Sequence, residues 1–267
     1  MMNSKEIISG LEKVRSNAPL VHNITNYVVM NSTANALLSV GASPVMAHAV
    51  EEVEDMVGIA SSLVINMGTL SEKWIEAMLK AGKKATDKGI PVVFDPVGVG
   101  ATGYRTDTAQ AIINSCRPSV IRGNASEIMA LCNANIKTKG VDSTLSADSA
   151  LDSAKLLAGE TGAVVVISGE TDYITDGETV VSLKNGSPLM GRVTGMGCTA
   201  TTMIGAFTGI EKDLLSATVM AMAVMGIAGE LAAEKSKGPG TMQLNFYDEL
   251  YNLSAESIES RLKLNHE

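Results

Sequence analysis

Five short stretches of this chain carry residues able to bind and move a phosphate group. They are His22-Asn23-Ile24-Thr25-Asn26, Asp95 with a glycine loop behind it, Arg122 to Glu127, Ser168, and GRVTGMGCTATTMIGAFTG at 191–209. In the last, Arg192 and Val193 read as the end of an extended segment. Thr194-Gly195-Met196-Gly197 is too glycine-rich for a strand or helix interior. Cys198 then opens a run of small and apolar residues that can be helical to about Phe207. A helix start leaves backbone N–H groups without internal acceptors. Together with the helix dipole they make an anion site. Side chains at Gly195 and Gly197 would block a phosphate from the backbone. Two closely packed elements need the same glycines, so the stretch alone leaves both readings open. It is neither a Walker loop, which needs Gly-Lys-Ser/Thr, nor G-x-G-x-x-G.

Asp95 closes the apolar run Pro91-Val-Val-Phe-Asp95 and precedes Pro96-Val97-Gly98-Val99-Gly100. A carboxylate there suits a metal–phosphate group, with a helix or loop cap as the lesser alternative. Asn124 and Glu127 have the spacing of a capping box, which could account for both residues. Arg122, in the same loop, is left over, and a guanidinium beside a helix start suits a phosphate clamp. A cap glutamate on a ligand rim can also reach a metal-bound water. Asn23 and Asn26 follow a short strand; their alternative is turn chemistry. His22 reads as a core histidine.

These residues need elements that deliver them to one place. Apolar spacing predicts helices over 4–16, 28–39, 51–60, 71–88, 106–115, 147–160, 213–235 and 241–263, and one capped by Asn124 that continues through 128–132. Strands are predicted at 20–24, 43–47, 63–66, 91–95, 119–121 and 163–167. Segments 173–176 and 179–183 flank the hairpin signal Asp176-Gly177, and 136–144 reads as a surface loop. The strand–helix alternation predicts an α/β fold in one domain, 1–267, with a mostly parallel central sheet and helices on both faces. A parallel sheet gathers its strand ends at one edge. That edge would then hold an anion site, an arginine and two carboxylates, without a Ser–His–Asp set. Phosphoryl transfer needs mainly positioning and charge neutralisation, and the inventory fits it better than acyl or hydride transfer.

Composition narrows the partners. The net charge is −8 with no basic run, which speaks against nucleic acid. Cys116, Cys132 and Cys198 form no C-x-x-C pair and fit a reducing cytosol. The amphipathic N-terminus is unlike a signal peptide. No apolar run reaches about 18 residues without polar breaks, so no membrane span is expected. With aromatics at 3%, aliphatic residues and the 15 methionines must fill the core.

Four ordered segments, VHNITNYVVMNSTANALLSVGASPVMA, VVFDPVGVGAT, IRGNASEI and GRVTGMGCTATT, resemble the hydroxyethylthiazole kinase family nearly end to end. The resemblance implies a ribokinase-like fold without a separate lid domain. It implies transfer of phosphate from ATP, with Mg²⁺, to 4-methyl-5-(2-hydroxyethyl)thiazole in thiamin salvage. Arg122, Ser168 and Asn124 would then serve ATP. Met46 and Gly195 would contact the thiazole, and Asn23 would line its pocket. Asp95 and Glu127 would serve the metal and phosphates, with Gly195, Gly197 and Cys198 at the reaction centre. The family pattern also implies a cytoplasmic homotrimer with pockets between subunits. Wider ribokinase-like relatives usually carry aspartate, as base for the substrate hydroxyl, where this chain has Cys198; the thiol reads as a weak base there, with a small buried cysteine filling the helix start as the alternative. The same fold leaves open a hydroxymethylpyrimidine kinase, an ATP-dependent dehydratase of hydrated nicotinamide nucleotides, and a nucleotide-binding protein without catalysis.

Overall fold

A computed structural model describes residues 2–138 and 149–267, with side chains outside 135–138. The chain runs α1 (Ser4–Asn17), β1 (Leu20–Ile24), α2 (Met30–Val40), β2 (Ser43–Val45), α3 (Val53–Ile59), β3 (Ser62–Asn66), α4 (Glu72–Lys88), β4 (Val92–Asp95) and α5 (Gly103–Cys116). It continues through β5 (Val120–Asn124), α6 (Ala125–Thr138), α7 (Ala150–Thr161), β6 (Val164–Ser168), β7 (Asp172–Thr175) and β8 (Val180–Leu183). A short 3-10 helix (Pro188–Arg192), α8 (Met196–Thr208), α9 (Leu214–Glu234), α10 (Pro239–Asn252), α11 (Ala255–Arg261) and β9 (Leu264–His266) complete it.

Among the described residues all strands form one sheet, in the order β2-β1-β3-β4-β5-β6-β7-β8-β9. The first six are parallel, and β7, β8 and β9 are antiparallel to their neighbours. Alternation along the strands divides the core in two. Val64, Val93 and Val120 face α1, α2, α8, α9 and α10; Leu63, Ile65, Phe94 and Ile121 face α3 to α7. Helices on both faces and a mostly parallel sheet agree with the fold expected from the sequence.

Helix α8 lies directly on the sheet. A methyl group on Gly205 would stand 2.7 Å from Val64 Cγ2 and 3.0 Å from Val21 Cγ1. Two threonines of the same helix reach polar partners on the strands. Thr202 Oγ1 donates to Asn23 Oδ1 and Thr201 Oγ1 to Asp95 Oδ2, each at 2.8 Å. Close packing plus these bonds set the helix start against the carboxyl ends of β1 and β4. Helix α9 has the length and apolarity to cross a membrane, but 72% of its most apolar window is buried inside the fold. It is the central core helix.

Several boundaries differ from the sequence reading. Arg192 ends the 3-10 helix, and only Val193 after it is extended (φ −110°, ψ 120°). The loop expected from Arg122 does not exist: β5 runs through Asn124, and α6 begins at the next residue. The capping box lets strand pass straight into helix. The single last helix expected over 241–263 is two helices and an edge strand. Buried Leu253 breaks it, and Ser254 Oγ caps α11 by accepting from Ser257 N at 3.2 Å. Of the loop expected at 136–144, residues 136–138 belong to α6 and 139–144 lie outside the described residues.

Candidate active site

The parallel strands end where α8 begins. Asp95, Arg122, Asn124, Glu127, Ser168, Gly195, Gly197 and Cys198 line one cleft of about 840 Å³. The cleft continues over Asp172, Lys184 to Pro188 and the thioethers of Met190, Met222 and Met225.

At its centre is the open end of α8. Gly195 is the N-cap, in the left-handed region (φ 83°), and offers no side chain to the helix amides. The first amide turned back into the helix is that of Thr199, which donates to Gly195 O at 2.8 Å. The N–H groups of Met196, Gly197 and Cys198 precede it and have no intrahelical acceptor by geometry. Arg122 faces this opening. A methyl on Gly197 would fall 2.6 Å from Arg122 Nη1. Ser168, on the neighbouring strand, steadies the guanidinium by accepting from Nε at 2.7 Å. Cation and amides together make the place where anionic charge is most favoured.

The carboxylates flank it differently. Asp95 is 1% exposed. Its Oδ2 accepts from Asn66 Nδ2 and Thr201 Oγ1, both at 2.8 Å, while the buried Oδ1 has no partner. Burial raises its pKa to about 6 against the lowering by Arg122. An unpaired buried oxygen is costly unless a cation or donor comes to it. Glu127 is committed to backbone: Oε2 accepts from Asn124 N at 2.9 Å, and Oε1 from Gly98 N at 2.8 Å. Asn124 Oδ1 accepts in turn from Glu127 N at 2.9 Å, completing the box. Glu127 therefore ties the loop after β4 to α6.

Cys198 is half-buried, with Asn26 Nδ2 at 3.6 Å from its sulfur. Burial, then Asp95, raises its pKa to about 11; Asn66, Asn26 and Arg122 pull it down by less. The position at the helix start does not offset this burial.

Two expected residues are not on the cleft wall. Asn23 is 0% exposed, and its side chain turns under α8, donating to Val21 O at 3.0 Å and accepting from Thr202. Met46 follows the edge strand β2 and is half-buried, outside the cleft lining. His22 is only half satisfied: Nε2 bonds Ala47 O at 2.8 Å, while Nδ1 is buried without a partner.

Sequence reasoning missed Asp172, Asn66 and the role of Asn26. Asp172 starts the antiparallel strand β7, and nothing in its local pattern points to a cleft. Its Oδ1 accepts from Gly169 N at 3.0 Å, and burial raises its pKa to about 6, opposed by that bond and by Arg122. This value lies above the ordinary 3.8, so in that interval the folded chain binds more protons than the unfolded one, and stability falls as pH rises through it. Asp172→Asn is expected to raise the melting temperature at about pH 7.5 and to leave it unchanged below about pH 4. Thermal melts at the two pH values check this; an equal shift at both would contradict it.

The chain is similar to known proteins over nearly its whole length. A family model for the hydroxyethylthiazole kinase family matches residues 11–256. The hydroxyethylthiazole kinase of Syntrophus aciditrophicus is 55% identical over 257 residues, covering 96% of this chain and 95% of that protein. This chain belongs to the hydroxyethylthiazole kinase family. The solved structure of the family member from Pyrococcus horikoshii superposes with a TM-score of 0.91 at 42% identity, covering 98% of this chain and 99% of that one. Staphylococcus aureus pyridoxal kinase, in complex with AMP-PCP and pyridoxal, matches with a TM-score of 0.65 at 14% identity, over 93% of this chain and 98% of that one. At that identity the likeness concerns the ribokinase-like fold alone. Membership of the kinase family makes the chain a phosphotransferase.

Proposed function

We propose that the cleft transfers the γ-phosphoryl group of ATP to the hydroxyl of 4-methyl-5-(2-hydroxyethyl)thiazole, giving the thiazole phosphate used in thiamin salvage. The whole chain, 1–267, serves as one catalytic domain. The observation that carries this reading is the glycine-capped start of α8 opening onto Arg122, with Asp95 beside it. In the reaction the alcohol oxygen forms a bond to phosphorus, the bond to the bridging oxygen breaks, ADP leaves and the alcohol proton passes to solvent or a nearby acceptor. The amides of Met196 to Cys198 hold the equatorial oxygens, and Arg122 neutralises charge that grows at the leaving side. Ser168 and Asn124 line the ATP side of the cleft.

Asp95 fits a divalent cation through its unpartnered Oδ1. Mg²⁺ keeps several waters and needs only one or two carboxylates beside the phosphates, to which it supplies charge neutralisation. Glu127, with both oxygens on backbone amides, suits a metal-bound water rather than direct ligation.

The thiazole would sit at Gly195, where a methyl group would stand 2.6 Å from Cγ1 of Val29, the N-cap of α2. Tyr27 and Val28 there are 63% and 67% exposed. Large apolar groups left open at a substrate entrance, with Met46 on the sheet's edge, fit a homotrimer whose pockets are completed between subunits. Asn23 supports α8 from beneath. A cytoplasmic setting accords with three free cysteines.

The direct test supplies ATP and one acceptor at a time. ADP is expected with the thiazole alcohol. Turnover only with a hydroxymethylpyrimidine, or only with a hydrated nicotinamide nucleotide, would overturn the assignment, and no ADP with any acceptor would favour binding without catalysis.

Cys198 supplies a sharper check. With its pKa near about 11, only about one thiol in a thousand is ionised at about pH 8. A loose transition state needs little early proton removal. Cys198→Ala is therefore expected to keep kcat within about tenfold of the parent at about pH 8, whereas loss of a working general base costs about 10²–10⁴-fold. Comparing Cys198→Ala and Cys198→Asp across pH decides it; a collapse of the alanine variant would make the thiol the base after all.

A further inference from the structure

Between Asp95 and Cys198 lies a pair of asparagine side chains whose orientation is forced. Asn26 is 4% exposed and Asn66 1%. Asn66 Oδ1 accepts from Gly68 N at 2.9 Å, and Asn26 Oδ1 from Val28 N at 3.1 Å. A backbone N–H can only donate, so each carboxamide must present its oxygen there and turn its Nδ2 the other way. Asn26 Nδ2 therefore points at Asn66 Oδ1, 2.8 Å away, and at Cys198 Sγ, 3.6 Å away. Asn66 Nδ2 points at Asp95 Oδ2, at 2.8 Å. Gly68 leaves the room required: a methyl there would stand 2.5 Å from Asn26 Nδ2.

The chain of donors has one direction, from Asn26 to Asn66 to Asp95, with a branch to the sulfur. Asn66 and Thr201 together occupy Oδ2, which leaves Oδ1 as the oxygen with no protein partner. The same Asn66 amide anchors the carboxamide that reaches Cys198, at the first turn of α8. One side chain thus fixes both the carboxylate and the neighbourhood of the thiol. We propose that Asn66 is a positioning residue for phosphoryl transfer, acting on Asp95 directly and on the Cys198 end of α8 through Asn26. The proposal rests on the kinase reading of the cleft and adds to it a residue that touches no reacting atom.

Two measurements test it, one independent of turnover. The first is the rate of Cys198 alkylation by iodoacetamide at fixed pH, read by peptide mass. Buried Cys116 and Cys132 report on folding by staying slow. N–H groups reaching the sulfur stabilise its reactive anion. Asn66→Ala and Asn26→Ala are each expected to slow Cys198 alkylation by about fivefold or more, and the double variant no further than Asn66→Ala alone, because Asn66 both favours the thiolate itself and holds Asn26. The second is steady-state kinetics of Asn66→Leu, which keeps the approximate shape and carries no donor toward Asp95. Its kcat is expected to fall about 30-fold or more, with KM for the alcohol within about threefold, as for a group that matters in the transition state. Unchanged alkylation in Asn66→Ala, multiplicative slowing in the double variant, or an Asn66→Leu kcat within about threefold of the parent overturns the proposal. A parent that makes no ADP from the thiazole alcohol overturns the function reading instead, and the alkylation arm still decides the positioning role.

Discussion

Arg122→Ala is expected to lower kcat/KM for ATP by about 10²–10³, the usual cost of removing one preorganised donor from developing charge. Arg122 is the guanidinium at the open start of α8, and Gly197 is a glycine on the side where a methyl would touch Nη1. Its Nε is held by Ser168 at 2.7 Å, so the fork reaches the phosphate site already oriented. Arg122 also lowers the pKa of both Asp95 and Asp172. Removing it leaves those carboxylates harder to ionise, which compounds the loss. Arg122→Lys should recover little, because a point charge cannot both bond Ser168 and present a planar fork. Steady-state kinetics with ATP varied, alongside thermal melts to show intact folding, check this. Activity within about threefold of the parent in Arg122→Ala would remove the guanidinium from the mechanism.

Gly197→Ala carries the second large effect, with activity and stability moving apart. The added methyl would lie 2.6 Å from Nη1, 3.2 Å from Nη2 and 3.3 Å from Cζ of Arg122. The guanidinium is the mobile partner, so it moves and the helix stays. The methyl also narrows the approach of a phosphate oxygen to the amides. A loss of about 10²-fold in kcat/KM is expected, as for a missing donor. Alanine meanwhile favours a helix over glycine by up to about 1 kcal/mol, so the melting temperature should hold or rise. A variant that melts lower and keeps its turnover would mean that Gly197 serves packing alone.

The cleft was legible where a single strand or loop announces its own chemistry. Asp95 closes an apolar run, Asn124 and Glu127 have capping spacing, and Gly195 and Gly197 precede a helix. Parallel strands then bring them together without further information. Asn66 ends a strand as plainly as Asp95 does, yet its importance lies in bonds to residues 40 and 29 positions away. No local pattern encodes these. The inward turn of Asn23 has the same cause, since its partner Thr202 is 179 residues distant. The pKa of Cys198 depended on whether the helix start or burial dominated, and only the packed site decides that. Boundaries failed where tertiary contact overrides periodicity. Leu253 breaks an otherwise helical pattern, and β9 is recruited by pairing with β8.

The most direct measurement is a crystal structure with Mg²⁺, ADP, aluminium fluoride and the thiazole alcohol, the fluoride marking the position of the transferring group. The fluoride is expected within about 3 Å of the Gly197 and Cys198 amides and of Arg122, in line with the alcohol oxygen. A nucleotide seated elsewhere, with the start of α8 closed off by protein atoms, would contradict the account.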